Sequence, residues 1–101
     1  MNMQQMLMQA QKMQRELKKA KDELAKKEFA LSKGGMVTVT ILGSKEIKSI
    51  EVEDDAFEKE NKELIEETIV LCINELMLQI EKAEHAINER ITGSSTGGGL
   101  F

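Results

Sequence analysis

The sequence predicts an α+β fold: a long N-terminal helix, a small three-stranded antiparallel sheet and a long C-terminal helix. Three observations carry this. Met3, Met6, Ala10, Met13, Leu17, Ala20 and Leu24 recur in strict 3,4 alternation, the spacing of a helix with one apolar seam. Residues 36–42 then switch to period two, with Val37, Val39 and Ile41 on one side and Met36, Thr38, Thr40 and Leu42 on the other, as a pleated strand requires. The helical period returns from residue 61 to Ile91, where Ile65, Ile69, Cys72, Leu76, Ile80, Ala83, Ile87 and Ile91 form a stripe.

The first helix is expected over residues 3–26. No Gly, Pro or β-branched residue interrupts it. Asp22–Lys26 and Glu23–Lys27 are favourably oriented i,i+4 pairs. Methionines on the seam make a soft surface suited to packing against another helix, in the same chain or in a second copy. Phe29-Ala30-Leu31 reads as a short strand, and Ser32-Lys33-Gly34-Gly35 as a turn whose glycines accept positive φ. Gly43-Ser44 turns the chain again, and Ile50 and Val52 resume the alternation in a third strand. Three short strands with apolar groups on both faces need cover. A dimer formed through the sheet, with projecting helices, would supply it.

Asp55 with Glu58 has the spacing of a capping box opening a short helical turn, and Asn61 stands where a second helical start would be capped, so a kink near Glu60 is expected. The middle of the second long helix, Ile69-Val70-Leu71-Cys72-Ile73, is apolar almost all round, which implies burial on more than one side. Val37, Val39, Ile41, Ile69, Cys72 and Ile73 are accordingly expected at a dimer interface. Residues 1–91 read as one domain, and 92–101 as a flexible Gly/Ser-rich tail.

The chain has 101 residues, a single cysteine and a single histidine. One cysteine excludes an internal disulfide and fits a reducing compartment, so a cytoplasmic location is expected. No apolar run approaches the roughly 20 residues of a membrane span, and the N-terminus lacks a signal-peptide pattern; no membrane partner is expected. A zinc site needs more ligands than one Cys and one His provide, and no metal or other cofactor is implied. His85 lies off the apolar stripe. Cys72 sits within an apolar run, an inert place for a thiol. The carboxylate runs Asp54–Glu60 and Glu63–Glu67 fit a solvated helix start. The tail contains no Walker sequence. With no catalytic constellation, an enzyme and a small-molecule substrate are not expected.

Charge is the remaining pointer. The net charge is −4, yet residues 1–33 alone carry +4. On the first helix Lys12, Arg15, Lys18, Lys19 and Lys26 fall on the side away from the apolar seam. Lys12, Arg15, Lys19 and Lys26 make a stripe about 21 Å long at 1.5 Å per residue, suited to several DNA phosphates. No aromatic residue interleaves it, so base stacking is not indicated.

Taken together, these stretches resemble the YbaB/EbfC family of bacterial nucleoid-associated proteins. The Gln- and Met-rich opening MNMQQMLMQAQKMQ is similar to that family's first helix. Gly34-Gly35-Met36-Val37 with Val39 and Gly43 is similar to its glycine turn and first hairpin strand, and Ile50-Glu51-Val52-Glu53 to its third strand. Ile65-Glu66-Glu67 followed by Ile73-Asn74-Glu75 is similar to its second-helix pattern, and the Gly-rich tail ending in Phe to its tail. The chain departs from the family at Lys33, where a third glycine is usual, and at Asp54, where proline is common. Val70, Leu71, Cys72 and Leu76 stand in places that favour alanine, and Thr68 in place of leucine.

The resemblance implies a homodimer that binds double-stranded DNA with little sequence preference, located at the nucleoid and affecting nucleoid organisation or gene expression. It points to Lys12, Arg15, Lys18, Lys19 and Lys26 as contacts, with Lys82 and Arg90 as helpers. The helix–hairpin–helix order also resembles a prefoldin-like protein-interaction module without DNA binding. In that alternative the Met-rich segment 1–8 would serve as an apolar tip.

Overall fold

The computed structural model describes residues 2–93. The order is α1 (Met3–Lys26), β1 (Glu28–Lys33), β2 (Val37–Leu42), β3 (Ile47–Val52), two 3₁₀ turns at Asp54–Ala56 and Lys59–Asn61, and α2 (Lys62–Thr92). The strands form one antiparallel sheet in the order β1-β2-β3, so the α+β arrangement read from the sequence is the one observed. Thr92 belongs to α2, and Gly93 closes that helix in the left-handed conformation with its N–H on the Glu89 carbonyl. The rest of the expected tail lies outside the described residues.

Period two settles the sheet's faces. Val37, Val39 and Ile41 of the central strand are 0–1% exposed and pack against Cys72, Leu76 and Ile80 of α2. Phe29 and Leu31, directly opposite Ile41 and Val39 in β1, share that face. The other face carries Thr38, Thr40, Ala30 and Ser32 and is largely polar; Ser32 and Thr38 hydroxyls meet across the strands at 2.6 Å. The two-sided apolar sheet expected from Met36 and Leu42 is therefore one-sided, with Met36 itself packed against the core.

Val37, Val39, Ile41 and Cys72, expected at a dimer interface, are covered inside one protomer by the sheet–α2 contact. Ile69 and Ile73 differ: they sit half-buried at the margin of that core. Because α2 lies over β1 and β2, two apolar side chains of β3 extend past its cover, while Val52 still packs against the core. Ile50 and Ile47, cross-strand neighbours of Val39 and Ile41, are each 43% exposed.

The helix starts differ from their sequence reading. Asn2 caps α1, its side-chain oxygen accepting from the Gln5 N–H at 2.8 Å. Neither Asn61 nor the Asp55–Glu58 pair makes a side-chain cap; the Asn61 amide instead donates to the Ala56 carbonyl at 3.0 Å. The two 3₁₀ turns break the direction of the chain just before α2, where the kink was expected.

Gly43 fixes the direction of α1. Its N–H donates to the Lys27 carbonyl at 2.8 Å, and the Ser44 N–H to the Ala25 carbonyl at 3.2 Å. A Cβ on Gly43 would lie 1.8 Å from the Leu24 carbonyl oxygen. The β2–β3 turn thus seats directly on the end of α1, at a separation only glycine permits.

Candidate nucleic-acid interface

The two helices touch over a short stretch. Ala20 and Leu24 of α1 are buried against Ile87 of α2, flanked by Leu17, Ala83 and Ile91. Among the described residues the seam is therefore satisfied only from Leu17 onward. Met3 is 86% and Met6 56% exposed, and every residue from Asn2 to Glu16 is exposed. At 1.5 Å per residue α1 is about 36 Å and α2 about 46 Å long, whereas the molecule extends 69 Å. The outer half of α1 is an arm that projects past the helix it packs on.

The basic side chains ride on this arm and its root. Lys12, Arg15, Lys18, Lys19 and Lys26 are all exposed. Spacings of 3, 4 and 7 put Lys12, Arg15, Lys19 and Lys26 along one side, opposite the apolar seam. Two shallow concavities run along that side. One is lined by Gln5, Met8, Gln9, Gln11, Lys12 and Arg15. The other is lined by Arg15, Lys18, Lys19, Asp22, Glu23 and Lys26.

Neutralisation separates these cations. Lys18 bonds Asp22 at 2.9 Å across one helical turn, a pairing legible in the i,i+4 spacing but not drawn from the sequence. Among the described residues no ion pair engages Lys12, Arg15, Lys19 or Lys26. The cations around the sheet are committed: Lys33 to Glu75 at 2.9 Å, Lys45 to Glu84 at 3.7 Å and Lys48 to Glu28. Lys33 thus ties the end of β1 to α2. Its hydrogen bond to Glu75 and that carboxylate's charge hold its pKa above the ordinary lysine value.

Lys82 and Arg90 stand apart from the stripe. Both belong to α2, and Lys82 shares its surface with Leu78, Glu81, His85, Ala86 and Glu89, whose two carboxylates weaken its field. Arg90 lies in the last turn of α2, where it complements the helix dipole. The structure does not bring these two side chains onto the α1 stripe. His85 is exposed, as its position off the stripe implied. Cys72 is fully buried, and desolvation pushes its thiol pKa up, the opposite of an activated nucleophile. Among the described residues no cluster of His, Cys, Asp and Glu is placed to hold a metal ion. No helix there is long and apolar enough to cross a membrane.

Val70, Leu71, Cys72 and Leu76 divide into two pairs. Cys72 and Leu76 fill the sheet-facing core, while Val70 and Leu71 point outward and stay exposed. Thr68 is buried with its hydroxyl donating to the Leu64 carbonyl at 2.6 Å.

Comparison with known proteins agrees with this architecture. The profile of the YbaB/EbfC DNA-binding family matches residues 1–96. A nucleoid-associated protein of Agathobacter rectalis is 38% identical, over 99% of this chain and 88% of its own. One of Mycoplasmopsis pulmonis is 36% identical over 90% of each chain. One of Clostridium novyi is 34% identical, over 100% of this chain and 90% of its own. With nearly the whole chain matched, and with its helix–sheet–helix order in place, the chain belongs to the YbaB/EbfC DNA-binding family.

Proposed function

We propose that the protein is a homodimeric, nucleoid-associated DNA binder that grips the duplex mainly through phosphates and with little sequence preference. The observation that carries this reading is the row Lys12, Arg15, Lys19 and Lys26: exposed, unneutralised and carried on a projecting helix. Cations already paired to carboxylates gain less from a phosphate, since they give up a partner to take one. Free ones release condensed counterions from the duplex when they replace them. Lys18 contributes by exchanging Asp22 for a phosphate, and Lys82 and Arg90 act as outlying helpers. The row lacks aromatic residues to stack on bases, and three of its four cations are lysines, which bind as point charges. Such contacts position a protein on DNA without reading its sequence. The nucleoid location named for the relatives fits this chemistry.

Dimerisation through the sheet is supported by the uncovered margin of the core. Ile47 and Ile50 on β3, and Ile69, Val70 and Ile73 on α2, are apolar groups that one protomer leaves exposed or half-buried. A second copy seated there would cover them and double the number of basic rows.

The test is fluorescence-anisotropy binding to random-sequence duplex DNA over a salt series. Log affinity should fall linearly against log salt, with a slope of about −0.9 per phosphate neutralised. The triple variant K12E/R15E/K19E should lose binding while remaining a folded dimer by light scattering and circular dichroism. Retained affinity in that variant would remove these residues from the interface. A second reading, a module that grips protein clients, draws on the exposure of Met3, Met6, Leu7 and Met8. A protein that leaves client aggregation unchanged rules it out.

A further inference from the structure

The basic row uses one side of the arm; among the described residues the apolar seam on the other side is unpartnered from Met3 to Met13. We infer that this seam is a self-complementary contact: the arm of one copy pairs antiparallel with the arm of a second copy. Met3 then packs on Met13 of the partner subunit, and Met6 on Ala10 of the partner subunit.

Three features select this occupant. The first is continuity. Met3, Met6, Ala10 and Met13 extend, without a break in the 3,4 spacing, the seam whose inner positions Leu17, Ala20 and Leu24 already pack on a helix. The free half is therefore built for the same kind of neighbour. The second is charge. From Asn2 to Arg15 the chain has no carboxylate, and the positions flanking the free seam, Leu7, Gln9 and Gln14, are uncharged. Two such seams meet without burying a charge. The only cations there, Lys12 and Arg15, sit on the far side. Parallel pairing would set each beside its own copy, whereas antiparallel pairing sets Lys12 level with Gln4 of the partner subunit and opposes the two helix dipoles.

The third feature is shape. The antiparallel register sets two central Met–Ala layers between two outer Met–Met layers, and methionine adapts to both. The competing apolar row, Leu64, Leu71 and Leu78 on α2, offers one leucine every seven residues. That is half the density of a coiled-coil seam, with Glu60, Glu63 and Glu67 near its start.

The contact is short, about 15 Å from Met3 to Met13, so it is weak between free molecules and strengthened when DNA raises the local concentration of arms. Because it occupies the side opposite the phosphate-facing row, arm pairing and DNA contact proceed together. It joins protein bound on one duplex to protein bound on another. The inference thus extends the DNA-binding reading, while the contact itself exists without DNA.

Two full-length chains, M6C and A10C, test it. Mixed without DNA and mildly oxidised, they should form the M6C–A10C disulfide in preference to M6C–M6C; the buried Cys72 stays out of the reaction. Absence of that cross-link, or preferential capture of the M6C chain by an L71C chain, overturns the inference. The variant M6E/M13E supplies the second readout. Capture of a labelled duplex by a bead-bound duplex should fall at least about tenfold, the effect of roughly 1.4 kcal/mol per contact. Anisotropy affinity for a single duplex should stay within about twofold, a change under 0.5 kcal/mol. Unchanged capture overturns arm pairing. A correct cross-link in a protein that binds no duplex refutes the DNA reading and leaves the pairing standing.

Discussion

The α2–sheet core and the outer half of α1 present the same kind of sequence and opposite outcomes. Both carry apolar residues at regular helical spacing. Along α2, Cys72, Leu76 and Ile80 are fully buried on Val37, Val39 and Ile41. Along α1, Met3, Met6 and Met13 stand exposed on an arm. Periodicity states which side of a helix seeks cover. Whether cover arrives depends on what the rest of the chain brings within reach, and here α2 meets α1 only from Leu17 onward. The core therefore holds the molecule together, and the arm is free to meet other molecules.

Substitutions can sharpen that contrast. The largest effect belongs to the core: Leu76→Ala should cost about 2–5 kcal/mol in urea unfolding, from lost transfer energy and an unfilled cavity. Met3→Ala at dilute concentration should change the same midpoint by less than about 0.5 kcal/mol, as befits an exposed side chain. Equal losses at the two sites would contradict the division. Gly43→Ala comes next, at about 1–3 kcal/mol from overpacking against the Leu24 carbonyl. It should also swing the arm, read as a change in distance between labels on α1 and α2.

Asn2→Ala removes the α1 cap and should cost the arm about 1 kcal/mol. Since the arm is not part of the core, the loss should show as faster amide exchange over the first turns of α1, with the global unfolding midpoint unmoved. A drop in that midpoint would mean that the arm folds cooperatively with the sheet.

The smallest effect is at Lys33. Its pKa is raised above the ordinary value of 10.5, so the stabilisation from Glu75 is complete below that value and disappears as pH rises through the raised one. Lys33→Ala and the native chain should therefore converge in stability on the alkaline side. A gap that persists there would assign the side chain a packing role instead.

Much of this was legible beforehand. The bounds of α1 follow from an unbroken 3,4 seam with Lys27 past its end, and the sheet follows from the switch to period two at Val37. The basic row was legible because charged residues on a helix keep to one side whatever the tertiary packing. The division of the apolar residues between core and surface was not. Val37, Val39, Ile41 and Cys72 are apolar residues that pattern alone cannot apportion between an internal core and a partner, since both demand the same spacing. The caps also escaped. Asn61 has the residue type of a cap, but the 3₁₀ turn before it directs its amide to Ala56, while Asn2, just before the apolar run, is the residue that caps α1.

The sequence by itself determined the order of elements, the face of each that seeks burial and the row of cations on one side of the first helix. These depend on local geometry, 3.6 residues per turn and two per pleat, which operates within a few neighbours. The tertiary structure decided which seams are satisfied and which charges remain available. Lys33, Lys45 and Lys48 lose their freedom to Glu75, Glu84 and Glu28, partners distant in sequence. Gly43 earns its place by a contact with Leu24 nineteen residues away. Such long-range contacts arise only when the hairpin turn settles on the end of α1, and the same docking aims the arm outward with its cations unpaired.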